Sequence, residues 1–219
     1  MDNNIFLNGW NRNNAYAFGW IMSDGCLQKE GRNKSAYAVR ICSNDYQIIK
    51  WLHEYLCCGN KIYKQNDHGY LIKYRNKESI DFMMDNCLTE RKSLNMVFPS
   101  IPDEYLGDFI RGYFDGDGSI ALTNTRYNTY AQVSFTSGSV EFLNTLQEKL
   151  QEHNIRSQIY KDGRSNNNSY YLRVTKRSEI EKLFSFMYND LVNVGFLQRK
   201  YDKYLSYMRV KPKYKSHIA

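Results

Sequence analysis

The pattern of apolar and polar residues predicts the same order of elements twice along the chain. Each half is predicted to form a helix, two strands, a helix, two strands and a helix, because helical periods of about 3.6 residues alternate with strand periods of about two. In the first half, predicted helices end at 23 and cover 46–56 and 78–86, and predicted strands cover 26–29, 37–43, 61–64 and 70–75. In the second half, predicted helices cover 104–116, 140–153, 179–188 and 197–208, and predicted strands cover 119–123, 130–137, 156–161 and 170–175. Asn13 or Asn14 is expected to cap the first helix.

Matched residues show that the second half repeats the first. Asp24 corresponds to Asp117, and the strand residue Ile72 corresponds to Leu172, with a spacing that grows slowly along the chain. Loop insertions into a duplicated unit produce such a drift, and a period this long indicates domain duplication. We therefore predict an α+β fold of two pseudo-symmetric αββαββα units. The first unit covers 1–92, a linker covers 93–102, and the second unit with a C-terminal helix and basic tail covers 103–219.

The first helix of each unit ends on the same short pattern. Gly19 stands five residues before Asp24, and Gly112 stands five residues before Asp117. Small residues on one helical stripe let two backbones approach closely, so we expect the helices to pack together through these glycines. The two aspartates would then lie at one level near a pseudo-twofold axis. The glycine after each carboxylate can take the left-handed conformation that often ends a helix.

Two carboxylates at one point favour a divalent cation. They repel each other when both are charged, and a cation relieves that repulsion. Oxygen ligands suit Mg²⁺, which can activate water and stabilise charge on a phosphodiester. We place this site at Asp24 and Asp117 with the adjacent Gly25 and Gly118, and we expect that Mn²⁺ or Ca²⁺ can substitute in binding. The alternative is that each Asp-Gly pair is an ordinary helix end.

Charge and cysteine content narrow the class of partner and compartment. The net charge of +7 and the pI of about 9.0 favour an anionic partner, most commonly nucleic acid, although a basic protein can also simply be soluble. The five cysteines form no CxxC pair, which argues against a zinc finger or a disulfide framework. We expect an intracellular, reducing compartment, which leaves open a bacterial or phage cytoplasm versus an organelle. We expect no signal peptide and no membrane segment.

The paired segments 17–25 and 110–118 resemble the signature of the LAGLIDADG homing endonucleases in their monomeric, two-repeat form. The second segment is the closer match, since the first has Met22 where the family often has an earlier acid. The resemblance covers almost the whole chain. It implies that the motif helices pack at the interface and that two antiparallel sheets form a saddle over double-stranded DNA. It also implies magnesium-dependent cleavage of both strands at a long, asymmetric site, with Asp24 and Asp117 as the metal-binding acids.

The family often places basic residues around the active centre. Lys92 and Lys200 are the candidates, because each follows an arginine after the last helix or loop of its unit. A positive charge there would stabilise the phosphate in the transition state or tune the attacking water. The alternative is a solvated basic turn. Gln198 is a weaker candidate for holding a water molecule.

Alternation along the strands predicts one buried face and one face toward DNA in each sheet. The inward set is apolar: Val39, Ile41, Ile72, Tyr74, Ile120, Leu122, Val133, Phe135, Leu172 and Val174. Arg, Lys, Gln, Ser and Thr read base edges in the major groove or contact phosphates. The predicted DNA-binding residues are Gln28, Arg32, Lys34, Arg40, Lys73, Arg75, Thr123, Arg126, Gln132, Ser134, Lys161, Arg173 and Thr175.

These observations favour a monomeric, site-specific DNA endonuclease of the homing type. The alternative is an RNA maturase or a DNA-binding regulator of the same fold without essential cleavage, and a purely structural role would explain neither the aspartate pair nor the charge. A second motif helix in the same chain makes a homodimer unnecessary. The length of the chain, without flanking splicing segments, argues against an intact intein.

Overall fold

The computed structural model describes residues 5–31, 36–59, 61–65, 69–126, 128–163 and 169–210. The first unit contains α1 (Arg12–Asp24), β1 (Gly25–Glu30), β2 (Ala36–Ser43), α2 (Tyr46–Tyr55), β3 (Tyr63–Lys64), β4 (Tyr70–Tyr74) and α3 (Lys77–Asp85). The second contains α4 (Asp103–Asp117), β5 (Gly118–Asn124), β6 (Thr129–Ser137), α5 (Val140–Glu152), β7 (Gln158–Lys161), β8 (Tyr170–Val174), α6 (Arg177–Met187) and α7 (Gln198–Arg209). Short 3₁₀ turns lie at Ile5–Asn8 and Lys92–Leu94. The α+β fold predicted from the sequence is confirmed, and the ends of its elements differ from the prediction by a residue or two.

Each unit folds around one four-stranded antiparallel sheet. The strand orders are β1-β2-β4-β3 and β5-β6-β8-β7, so the two sheets share one topology. Their registers also agree, because Gly25 pairs with Ile41 and Ile41 with Ile72, while Gly118 pairs with Phe135 and Phe135 with Leu172. The predicted inward residues are buried, apart from the half-buried Leu122. Burial of one face of each sheet against helices leaves the other face for a partner.

The start of α1 differs from the prediction. Asn11 is the capping residue, and its side chain accepts a hydrogen bond from the backbone N–H of Asn14 at 2.9 Å. The Asn14 side chain is buried and donates instead to the carbonyl oxygens of Ile5 and Gly9. The predicted cap at Asn13 or Asn14 is therefore wrong, because the preceding 3₁₀ turn folds back onto Asn14.

The glycines that end the two motif helices also differ from the expectation. Gly25 has φ −76° and Gly118 has φ −82°, so both are extended rather than left-handed. The chain passes straight from helix into strand at these points. Glycine is needed for space: a Cβ would lie 2.5 Å from the carbonyl oxygen of Ile21 at Gly25, and 2.5 Å from that of Phe114 at Gly118.

Candidate active site

Helices α1 and α4 pack against each other through reciprocal glycine contacts. A Cβ on Gly19 would lie 2.1 Å from the carbonyl oxygen of Phe109, and a Cβ on Gly112 would lie 2.1 Å from that of Tyr16. Tyr16 and Phe109 occupy corresponding positions of the two repeats, so the contact has pseudo-twofold symmetry. The structure thus places both glycines where the two backbones touch.

The carboxyl ends of these helices bring Asp24 and Asp117 together. A Cβ on Gly116 would lie 2.8 Å from Oδ2 of Asp24, which puts the Asp24 carboxylate against the residue that precedes Asp117. Both aspartates are exposed to solvent on one side and enclosed by protein on the other. β1 begins immediately after Asp24 and β5 immediately after Asp117, so the two sheets start from this point.

The electrostatics of the pair reflect this proximity. Desolvation, followed by repulsion from Asp117, raises the pKa of Asp24 to about 6, although the positive charges of Lys200 and Lys92 act in the opposite direction. Desolvation also raises the pKa of Asp117, again opposed by Lys92 and Lys200. A bound cation at this point would relieve the repulsion between the two carboxylates.

The donor set fits a hard divalent cation held by few protein ligands. Two carboxylates supply oxygen donors, as Mg²⁺ prefers. Within the described residues, no group of three or more His, Cys, Asp or Glu side chains is close enough to hold a metal ion. The carbonyl oxygens of Gly25 and Gly118 accept hydrogen bonds from lysine ammonium groups, which argues against their acting as ligands. The aspartates are therefore the residues that could hold a cation here.

Lys92 and Lys200 are buried and cap the carboxyl ends of the two motif helices. Lys92 Nζ donates to the carbonyl oxygens of Ser23 at 3.1 Å and Gly25 at 2.5 Å. Lys200 Nζ donates to four carbonyl oxygens, those of Phe114 at 2.6 Å, Asp115 at 2.7 Å, Gly116 at 3.3 Å and Gly118 at 2.6 Å. Desolvation lowers the pKa of Lys92, and it lowers the pKa of Lys200 to about 8. The interpretation of these lysines as solvated basic turns is wrong, since their relative exposures are 6% and 5%.

Asp115, the other acid of the second motif, points away from the pair. It is fully enclosed and accepts hydrogen bonds from the Tyr16 hydroxyl at 3.0 Å, the Tyr188 hydroxyl at 2.9 Å and the Leu197 N–H at 2.7 Å. The sequence did not predict that Asp115 holds the start of α7 through the N–H of Leu197. The available signal was the row of charged residues at 108, 111 and 115 on one face of an otherwise apolar helix. Gln198, the weaker candidate, is exposed and donates to Asp202 at 2.8 Å.

Those predicted DNA-binding residues that the structure describes lie on the outward faces of the two sheets and in their loops. In the first sheet, Arg40 lies opposite Lys73 on the neighbouring strand. Its guanidinium donates a hydrogen bond to the side-chain oxygen of Gln28 at 3.4 Å. Glu30 forms ion pairs with Lys73 at 3.0 Å and with Arg75 at 2.8 Å, which offsets part of the positive charge of this face. Arg32 and Lys34 lie outside the described residues.

The outward face of the second sheet is less charged. Arg173 lies over the rings of Tyr160, 5.1 Å from its centroid, and Tyr171, at 4.2 Å. Ser134 is more enclosed than predicted, because its hydroxyl is 2.9 Å from that of Ser119 on the neighbouring strand. The other predicted contacts of this unit are half-buried or exposed: Thr123, Arg126, Gln132, Lys161 and Thr175.

Sequence comparison matches both units to related families. Residues 104–187 match a family described as LAGLIDADG-like domain, and residues 13–95 match one described as WhiA LAGLIDADG-like domain. No helix in the described part of the chain is long and apolar enough to cross a membrane.

Curated relatives carry a similar segment within much longer proteins. A probable translation initiation factor IF-2 of Methanocaldococcus jannaschii is 27% identical over 90% of this chain. A DNA polymerase of Thermococcus sp. strain GE8 is 22% identical over 86% of it. The matched segments make up 17% and 12% of those proteins, so the chain spans less than a fifth of their length.

Several solved structures have the same fold. I-DmoI in complex with DNA and Ca has a TM-score of 0.61 and 17% identity, with 88% of this chain and 96% of that chain covered. I-SmaMI bound to uncleavable DNA has a TM-score of 0.61 and 15% identity, with 90% of each chain covered. The LAGLIDADG homing endonuclease I-GzeII in complex with its DNA target has a TM-score of 0.60 and 11% identity, with 90% and 88% covered. At these identities the likeness establishes the fold.

Proposed function

The chain belongs to the LAGLIDADG family, with two LAGLIDADG-like domains, and on that premise we propose that it is a site-specific double-stranded DNA endonuclease of the homing type. The single observation that carries this proposal is the meeting of Asp24 and Asp117 at the ends of two helices packed through Gly19 and Gly112. The charge of Asp117 opposes ionisation of Asp24 at the point where both sheets begin, and this favours metal-dependent chemistry over binding alone.

In this proposal the chain's own residues hold and orient the reacting groups. Asp24 and Asp117 hold Mg²⁺, and Mn²⁺ or Ca²⁺ can substitute in binding. When bound, the cation supplies charge stabilisation on the phosphodiester and lowers the pKa of water. Lys92 and Lys200 hold the carbonyl groups on either side of the two aspartates, and this restricts the direction in which each carboxylate points. Their positive charges also lie close enough to affect the pKa of both aspartates, which supports a role in balancing charge at the site.

The two outward sheet faces supply the proposed contacts to DNA. They flank the aspartates on either side, and their residues differ between the units: Arg40 corresponds to Ser134, and Ala38 corresponds to Gln132. Because the two sheet faces carry different residues, they favour a DNA target without twofold symmetry. Both motif helices are present in one chain, which supports action as a monomer.

The functions that the names of the curated relatives state are not assigned to this chain. A similar segment occurs within an initiation factor and within a DNA polymerase, whose named functions are unrelated. The proposal therefore rests on the site and the fold. The five cysteines all lie within the described residues and form no disulfide bond there, which supports the proposed reducing compartment.

Selection of a cleaved sequence from a randomised duplex library would test the proposal. We expect one asymmetric site to be cut on both strands in the presence of Mg²⁺, and no cutting with a chelator. The same library also supports selection for binding. Specific binding without cutting in Mg²⁺ or Mn²⁺ would favour the regulator, and preferential binding of structured RNA would favour the maturase.

A further inference from the structure

Three buried charged residues distinguish α4 from α1. Asp108, Arg111 and Asp115 lie one helical turn apart, with relative exposures of 6%, 0% and 1%. The corresponding positions of α1 are apolar and buried: Ala15, Phe18 and Met22. Buried charges are costly unless they are paired and hydrogen-bonded, so this difference between the two repeats requires a structural reason.

The charged residues hold the segment that joins α6 to α7. Arg111 donates through Nε to the carbonyl oxygen of Gly195 at 3.0 Å and through a terminal nitrogen to that of Met187 at 2.6 Å. Its other terminal nitrogen lies 2.7 Å from Asp108. Asp115 accepts from the N–H of Leu197 at 2.7 Å. Both ends of the segment 187–197 are thus attached to α4.

The first unit contributes to the same cluster through Tyr16. Its hydroxyl donates to Asp115 at 3.0 Å, and its ring lies 5.0 Å from the guanidinium of Arg111. A Cβ on Gly195 would lie 2.4 Å from the Tyr16 ring. The attachment of the segment 187–197 therefore depends on the packing between the two units as well as on α4.

The attachment determines where Lys200 lies. Leu197 is the N-cap residue of α7, and the Lys200 side chain follows within the first turn. The hydrogen bond from the Leu197 N–H to Asp115, at 2.7 Å, fixes the start of that turn, and Lys200 then reaches three carbonyl groups of α4 and that of Gly118. In the first unit, Lys92 contacts two carbonyl groups and follows α3 after a shorter connection.

We propose that Asp115 and Arg111 are positioning residues for Lys200, and that they act on one half of the cleavage site. The inference rests on the proposed endonuclease function. Because the two strands of a duplex are related by a local twofold axis, each unit's lysine lies nearest to one of the two scissile phosphates. Loss of the attachment displaces Lys200 but leaves Lys92 in place. One strand is then cut slowly while the other is cut normally, and a nicked duplex accumulates.

The test compares Asp115→Asn and the milder Tyr188→Phe with wild type on a duplex labelled differently on each strand. Tyr188→Phe removes a single hydrogen bond, the one to Asp115 at 2.9 Å. We expect the rate at which one strand is cleaved to fall about tenfold or more, since small displacements near reacting groups slow a reaction strongly. The rate on the other strand should stay within about twofold. The matched control is Met22→Leu at the position that corresponds to Asp115, which should leave both rates unchanged.

A second readout does not depend on cutting. Lys200 should resist acylation by an amine-reactive anhydride in the wild type and become acylated several-fold faster in both variants, as measured by mass spectrometry of peptides. Lys92 should keep its wild-type reactivity. Equal slowing of both strands, or a Lys200 that stays protected in both folded variants, would overturn the proposal. If the wild type cuts no duplex, the endonuclease function fails, and the acylation result alone still decides whether Asp115 positions Lys200.

Discussion

Asp24 is harder to ionise in the folded chain than in the unfolded one. Its pKa is raised from 3.8 to about 6 by desolvation and by the neighbouring charge of Asp117. The folded state therefore binds the proton more tightly, and the stability linked to this group is present at low pH and lost as the pH rises through about 6. The repulsion that prepares the site for a cation thus lowers stability at neutral pH.

Replacement of Asp24 by Asn should remove this pH dependence. Because the carboxylate is partly exposed, screening limits the gain to about 1 kcal/mol. For a chain of this size that corresponds to a Tm higher by roughly 2–4 °C at pH 7.5. The gain should shrink as the pH falls below about 6 and vanish below about 3.8, where the group is protonated in the folded and the unfolded chain alike. Thermal melts across this range in the absence of metal test the prediction, with the exposed Glu148→Gln as control. A Tm difference independent of pH would contradict it.

The two buried lysines should differ in their contribution to stability. Lys200→Met removes the lysine donor from four carbonyl groups, of which that of Phe114 keeps the N–H of Gly118, and Lys92→Met removes it from two. With unsatisfied buried groups costing about 1 kcal/mol or more each, we expect losses of about 3 kcal/mol for Lys200→Met and roughly half that for Lys92→Met. Urea unfolding measures both, and the exposed Lys50→Met serves as control. Equal losses would show that the carbonyl contacts do not set the stability.

The contact between α1 and α4 depends on two residues that have no side chain. An alanine at Gly19 or Gly112 would place Cβ 2.1 Å from a carbonyl oxygen of the facing helix, so the helices would have to separate. Overpacking against backbone costs about 3 kcal/mol or more, and we expect this loss for each single variant. Their effects should not add, since both act on one contact. Gly163→Ala is the control, because a Cβ there has no heavy atom within 4 Å. A Gly19→Ala protein as stable as the wild type would refute the reciprocal packing.

At the level of elements, the sequence predicted what depends on local pattern. Strand alternation and helical period identified both sheets and their buried faces, because these follow from the chain's own periodicity. The cap of α1 at Asn11 and the extended glycines at Gly25 and Gly118 were not predicted, since they depend on how neighbouring elements meet. The carbonyl contacts of Lys200 and the hydrogen bonds of Asp115 also escaped prediction, because their partners are distant in sequence. Even so, the arginines that precede both lysines gave enough of a pattern to single them out.

The whole molecule combines a symmetric centre with asymmetric surroundings. The glycine contacts, the two aspartates and the lysine caps repeat in both units, whereas the charged cluster of α4 and the outward sheet faces do not. The symmetric part suits a reaction carried out on each of two strands. The asymmetric part suits a target whose halves differ, and under the proposed function it would make the two strands unequal substrates.

In the proposed function, Asp24 and Asp117 together form one cleavage centre that is separate from DNA binding. The most direct test measures cutting in Mg²⁺ and affinity in Ca²⁺ for Asp24→Asn and Asp117→Asn, on the duplex that the wild type selects. We expect each variant to lose roughly 10³-fold or more in cutting rate. Affinity for the duplex should stay within about threefold, since the base and phosphate contacts lie elsewhere. Cutting of both strands at the wild-type rate by either variant would contradict it.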